Sequence, residues 1–293
     1  MKKLLKLKKF FFNSLKTLLV LLLFVNAQMA FASSCYTCEK YNPTKGMFLE
    51  KVTGVDFLER KTVEKFAQVY LRATYKSPIK LQLKTKSAKA LRNGEFEKLK
   101  IASSKIKFEG VSLSDFKAES ICPYNRFLYK KDLIGFPYDI PVKFETSLTN
   151  DDLNYMTSYF YSQNKNLFTY PIGRHNVVKV NNILWKIENN KLRVICEIRM
   201  FKINTRITLT TGIAVKNGRP TLTYISGVDR RLYKDVNKIL LMLTQNNPLN
   251  YTVELAENAN GKLDFTDIYI KDNKLHIKGV FLIPKNCVIT NKV

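Results

Sequence analysis

Residues 94–118 read GEFEKLKIASSKIKFEGVSLSDFKA. Apolar residues arrive in short alternating bursts: Leu99 and Ile101, Ile106 and Phe108, Val111 and Leu113. Lys98, Lys100, Lys105, Lys107 and Glu109 stand between them. A side-chain period of two makes strands with one apolar and one charged face. The stretch therefore predicts two or three strands, and the rest of the chain must say what their apolar face covers.

Upstream, Phe57–Tyr75 (FLERKTVEKFAQVYLRATY) carries Val63, Phe66, Val69, Tyr70 and Ala73 at helical spacing, with charges opposite, and Pro78 closes it. The spacing predicts a helix that turns Phe66, Val69 and Tyr70 inward. Ile79–Thr85 alternates as a strand, and Asn93-Gly94 is a turn. Downstream, Pro141–Ser147 alternates again, and Thr149-Asn-Asp-Asp152 matches a capping box before the helical run LNYMTSYFY. Three or more strands follow across Val177–Ile225, turning at Glu188–Lys191 and Lys216–Pro220. Asp235–Thr244 reads as a third helix that stops near Pro248, and Leu263–Pro284 reads as a hairpin turning at Lys271–Lys274.

An internal echo runs through this order. Ile187-Glu-Asn-Asn-Lys-Leu192 and Ile270-Lys-Asp-Asn-Lys-Leu275 align at a spacing of 83 residues, each after a helix, and Lys100–Phe108 is a weaker third copy. No Pro-rich or Ser-rich linker divides the chain. The reading is one α+β, strand-dominated antiparallel domain over 55–293, with three helices.

The apolar content of 45% supports a packed core, and the formal charge of +25 favours anionic partners. Residues 1–34 hold six lysines and no acid, which leaves +19 beyond them. That start has a basic stretch (MKKLLKLKKFFFNSLK), an apolar run (TLLVLLLFV) and a short polar, small-residue stretch (NAQMAFA), the layout of a signal peptide over 1–32. Residues 33–54 then form an irregular tail. Cleavage after Ala32 fits Ala30-Phe31-Ala32, while Ala32-Ser33-Ser34-Cys35 resembles a lipobox that would anchor the chain by an acylated Cys35. Either way the protein is expected to be exported, to the periplasm or the outer face of the envelope. Of the five cysteines, Cys35 and Cys38 have the spacing of a redox motif but no βαβ context, so a local disulfide or an inert tail is expected there. Cys196, inside VICEI, reads as a buried thiol.

Chemical signatures are scarce. His175 and His276 have no metal partner at ligand spacing, and there is no nucleophile elbow, phosphate-binding loop or dinucleotide fingerprint. Asp151-Asp152 is explained by capping the helix that follows. The sequence points to no enzyme, no metal and no cofactor. The 19 Phe and 15 Tyr fall mostly on apolar faces, where packing needs them, and export weighs against a nucleic-acid partner.

Four stretches carry a resemblance to a known family: Asn93-Gly-Glu-Phe-Glu-Lys-Leu-Lys-Ile101; Lys107-Phe-Glu-Gly-Val111 with Leu113 and the strand to Ile121; Thr146-Ser-Leu-Thr-Asn-Asp-Asp-Leu153; and the closing hairpin of Leu263–Ile270 and Lys274–Gly279. Over about residues 55 to 285 the chain resembles the LmeA-like phospholipid-binding proteins of bacterial envelopes. The resemblance implies a tubular lipid-binding fold, a curved antiparallel sheet wrapped around a long helix. It implies a non-enzymatic exported protein that holds or shuttles phospholipid or another acyl lipid. On the patterning, Phe66, Val69, Tyr70, Leu99, Ile101, Ile106 and Phe108 are the expected lipid-facing residues. Lys98, Lys100, Lys105 and Lys107 are the expected contacts to headgroups of an anionic membrane surface, at about 1 kcal/mol each. A buried acyl chain gains about 0.8 kcal/mol per CH₂ without any polar motif. The alternatives are an envelope scaffold or adhesion protein that binds acidic glycans through its Lys-rich face, and a hydrolase with scattered carboxylates.

Overall fold

Three hairpins of this chain turn on paired residues that tolerate positive φ. Asn189 and Asn190 (φ 52° and 55°), Asn217 and Gly218 (53° and 72°), and Asp272 and Asn273 (52° and 54°) each supply a two-residue loop. Their left-handed backbone matches the twist of the strands they join, which fixes hairpin position and register. All three turns sit where the sequence places them. The computed structural model describes residues 38, 55–108, 110–130, 133–164, 168–172, 176–200, 203–226, 241, 243–244, 247–258, 261–285 and 289–290.

Two antiparallel sheets carry the fold. The first has six strands in the order β1-β3-β4-β8-β15-β14, comprising β1 (Ile79–Lys84), β3 (Lys98–Phe108), β4 (Val111–Ser120), β8 (Ile140–Leu148), β14 (Lys262–Lys271) and β15 (Lys274–Ile283). The second has five in the order β13-β12-β11-β10-β9, comprising β9 (Thr169–Ile172), β10 (Asn176–Glu188), β11 (Lys191–Met200), β12 (Ile203–Lys216) and β13 (Arg219–Ser226). Short pieces complete the strand set: β2 (Glu95–Phe96) pairs β5 (Asn125–Arg126), and β6 (Leu128–Lys130) and β16 (Ile289–Thr290) flank β7 (Leu133–Gly135). The helices are α1 (Val55–Tyr75), α2 (Ala88–Arg92), α3 (Asn150–Gln163) and α4 (Pro248–Asn258). The chain is thus α+β and strand-dominated, as its patterning predicts.

Helix α3 starts as expected. Thr149 caps it, and the Asp152 carboxylate reaches back to the Thr149 N–H at 3.0 Å, closing a capping box. Helix α4 is a correction. Pro248, read as a terminator, is its first residue, where a missing N–H costs nothing. The Asn247 carboxamide oxygen accepts from the Leu249 and Asn250 N–H groups, both at 2.9 Å, and so caps the start. Of the helix expected over Asp235–Thr244, only Leu241, Leu243 and Thr244 lie among the described residues, and these are helical.

Helix α1 forms where predicted but presents a different face. Glu64, Ala67 and Leu71 are buried, whereas Phe66 and Val69, expected inward, are 44% and 57% exposed. The Tyr70 side chain lies outside the described residues. The reason for the rotation lies in β1, an edge strand with unpaired backbone groups. Glu64 Oε1 accepts from the Leu83 N–H at 2.8 Å, and Arg72 Nε donates to the Ile79 carbonyl at 2.9 Å. Ala67 between them lets the helix lie close.

The signal peptide, the alternative cleavage and lipobox sites and Cys35 fall outside the described residues. Cys38 does not pair locally. It forms a disulfide with Cys122, 84 residues on, and so ties the tail to the segment after β4. Cys196 is free and fully buried, and burial pushes its thiol up to about 12, so it is inert.

Candidate functional site

Buried apolar side chains form two clusters. One gathers the inner faces of the five-stranded sheet, α3, α4 and the β14–β15 hairpin. The other gathers α1, β1, β3 and the ends of β4, β8 and β15. Leu113, Phe144 and Leu263 pack against both. These same three line a cavity of about 100 Å³. The cavity is the seam where the two cores fail to close on each other.

Its walls come from elements far apart in sequence. Strand β4 gives Val111, Leu113, Phe116 and Ala118, and β8 gives Val142, Phe144 and Thr146. The β14–β15 hairpin gives Leu263, Phe265, Ile277 and Phe281; helix α3 gives Met156, and α4 gives Leu249, Thr252, Leu255 and Ala256. Two bulges open the strands here. Asp115 takes φ 50° where the pairing of β4 with β8 slips between Ser114 and Lys117, so Leu113 and Phe116 both reach the cavity despite their three-residue separation. The β14–β15 pairing slips likewise between Phe265 and Asp267.

Glycines make room for the aromatic walls. A Cβ on Gly279 would stand 2.6 Å from the Phe144 ring, and one on Gly261 would stand 2.6 Å from the Phe281 ring. Phe144 in turn meets Phe265 edge-on, with centroids 6.2 Å apart. The rings lie across bare backbone, and at Gly279 this is a recognised use of strand glycine.

The walls offer an incoming molecule almost no polar handle. The two polar side chains are Thr146 and Thr252, and both hydroxyls are occupied. Thr146 donates to the Ser114 carbonyl at 2.8 Å, and Thr252 donates to the Leu249 carbonyl at 2.6 Å. A site so lined selects by apolar surface and shape.

The sequence-predicted lipid-facing residues lie elsewhere. Leu99 and Ile101 are buried and border a packing void of about 10 Å³ that shares Ala118 and Val142 with the larger cavity. Ile106 is buried in the α1-side core. Phe66 and Val69 face outward, and the Phe108 side chain, like that of Tyr70, lies outside the described residues.

The lysine row is largely spoken for within the protein. Glu119 receives Lys98 at contact distance, Lys100 at 3.8 Å and Lys143 at 3.5 Å. Lys105 Nζ stands 3.2 Å from Asp152 Oδ1, and Lys107 lies over the Tyr155 ring, 5.0 Å from its centroid. Asp152 is the most heavily bonded carboxylate in the described fold. Its burial would raise the pKa, but hydrogen bonds from Ser112 (2.5 Å), the Thr149 N–H, Ser114 (2.7 Å) and the Thr149 hydroxyl outweigh that and hold it at about 2. It pins the start of α3 to β4, a structural task consistent with its reading as a cap.

His276 stacks on Tyr269 with ring centroids 5.1 Å apart, and His175 lies outside the described residues. Among the described residues, no group of three His, Cys, Asp or Glu could hold a metal ion, and no helix is long and apolar enough to cross a membrane. Searches against family models, curated proteins and solved structures find no match to this chain.

Proposed function

We propose that the protein is an exported, non-enzymatic binder of an acyl lipid, which it holds or shuttles in the bacterial envelope. The cavity at the seam of the two cores carries this reading: its walls are apolar and both of its hydroxyls are spent on backbone carbonyls. A cavity of about 100 Å³ takes a few methylenes, since a cavity of about 150 Å³ holds benzene. A longer chain extends beyond the cavity. Each buried CH₂ then adds about 0.8 kcal/mol. The lipid-binding role that the resemblance to LmeA-like proteins implies agrees with this reading. The Cys38–Cys122 disulfide supports export, because such bonds persist in oxidising compartments.

Native mass spectrometry of the protein as its producing cell processes it, followed by lipid extraction, tests the proposal. A lipid-sized mass should accompany the wild type. It should be lost from Ala256→Phe, which fills the cavity from α4 at a cost of about 1–3 kcal/mol of overpacking. A wild-type mass without lipid, or an Ala256→Phe protein that retains it, would refute the assignment.

A further inference from the structure

Helix α1 leaves its outer face uncovered. Leu58, Phe66 and Val69 are 62%, 44% and 57% exposed, and Phe57 is 54% exposed. Three of the ten large apolar side chains exposed among the described residues therefore share one face of this helix, while Phe57 lies on the other side. At about 100° per residue, Leu58, Thr62, Phe66, Val69 and Ala73 fall within about a quarter of the circumference, opposite Ala67 and Leu71.

The charges bordering this stripe are unequal. Of the acids whose side chains are described, Glu64 is turned inward to β1, and Glu59 is paired with Arg92 at 3.2 Å. Lys65, Arg72 and Lys76 are exposed, and none has a carboxylate partner among the described residues. An apolar stripe edged by unneutralised cations is the composition of a helix that lies in a membrane interface. Its apolar side chains enter the acyl boundary, and its lysine and arginine stems extend to the phosphates.

We propose that the outer face of α1 is a docking surface for an anionic lipid bilayer. Charge decides the occupant: a second copy of this cationic face would bring like charges together, whereas phosphate headgroups complement Lys65, Arg72 and Lys76. The inference rests on the lipid-binding reading for its purpose, the delivery of a lipid to or from a membrane. It also places membrane contact on the helix, where cations border an exposed apolar stripe, and not on the lysine row of β3, whose apolar neighbours Leu99, Ile101 and Ile106 are buried.

Co-sedimentation with phosphatidylglycerol–phosphatidylcholine vesicles tests it, using the protein as processed by the producing cell. The wild type should bind. Leu58→Gln/Phe66→Gln/Val69→Gln should bind at least about tenfold more weakly, because it removes most of the apolar face. Lys65→Gln/Lys76→Gln should bind more weakly by roughly fivefold per cation and with a shallower salt dependence. Val69→Gln alone, a single change at an exposed position, should show a partial loss with an unchanged melting temperature. Retained lipid, read by native mass, should be the same in all of them. A wild type that carries lipid but ignores vesicles would overturn the docking surface and leave the cavity assignment standing. A wild type that binds vesicles but carries no lipid would do the reverse. Equal vesicle binding by wild type and triple variant, or a wild-type dimer that the triple variant turns into a monomer, would overturn the docking surface as well.

Discussion

Helix α1 hands the Glu64 carboxylate and the Arg72 guanidinium to β1; helix α3 hands the carboxamides of Asn150 and Asn154 to β10. Asn150 Oδ1 accepts from the Ile187 N–H at 2.7 Å. Asn154 accepts from the Trp185 N–H at 2.7 Å and donates to its carbonyl at 3.0 Å. Both helices thus satisfy strand backbone that would otherwise invite another chain. They differ in what else they touch. Asp152, Leu153, Met156, Thr157 and Phe160 of α3 are all buried, because α3 packs against both sheets and α4. Helix α1 meets β1, α2 and β3, and only Glu64, Ala67 and Leu71 of its described side chains are buried. Sealing an edge therefore does not decide how a helix uses its apolar residues; how far the helix is enclosed does.

The contrast breaks most easily at the aromatic side chains. Phe160→Ala in α3 should cost about 3–5 kcal/mol, since Phe160 is 3% exposed and packs edge-on to Phe168 and tilted against Tyr251, with centroids at 5.8 and 4.8 Å. Chemical denaturation measures it, and a loss below about 1 kcal/mol would show that α3 is not a core helix. The pH dependence comes next. Asp152 titrates at about 2 in the folded protein against an ordinary 3.8, so the unfolded chain takes up the proton first as pH falls. Its contribution of roughly 2 kcal/mol is complete above about pH 4 and is lost as pH falls toward 2. Asp152→Asn should flatten the stability curve across that window.

Asn154→Ala should cost about 1–3 kcal/mol, because it strands the Trp185 N–H and carbonyl at a partly buried edge. Faster hydrogen exchange at the Trp185 amide, with that at Leu83 unchanged, would confirm that each helix seals its own sheet. The smallest effect belongs to α1. Phe66→Ala should change stability by no more than about 0.5 kcal/mol, given 44% exposure. A cost near that of Phe160→Ala would mean that this face is packed after all.

Local chemistry was the legible part of this sequence. Asn-Asn and Asp-Asn between alternating strands marked the hairpin turns, and Thr149 with Asp152 marked the start of α3, because such signals act within a few residues. Apolar spacing misled in α1. The inner face there holds Glu64 and Ala67, which hydropathy reads as outward or neutral, and only the neighbouring strand edge makes that carboxylate worth burying. Pro248 reads as the end of one helix, although the same residue type also suits the first turn of another, which is where it stands. The cavity was illegible because its walls look like ordinary core; what distinguishes them is that the two clusters do not close, a property of the assembled sheets. Gly279 was the one local hint, a glycine inside a strand pattern with a ring to accommodate.

The 83-residue echo has a physical meeting point. Asn190 N–H donates to Asn273 Oδ1 at 3.3 Å, and Asn273 N–H donates to Asn190 Oδ1 at 3.3 Å. A contact in which residue i does to j what j does to i is the mark of a two-fold axis, familiar from isologous dimers. Here the reciprocity joins two turns of a single chain, one from each sheet. Replacing either asparagine side chain removes the acceptor for the other turn's N–H and leaves a single hydrogen bond between them.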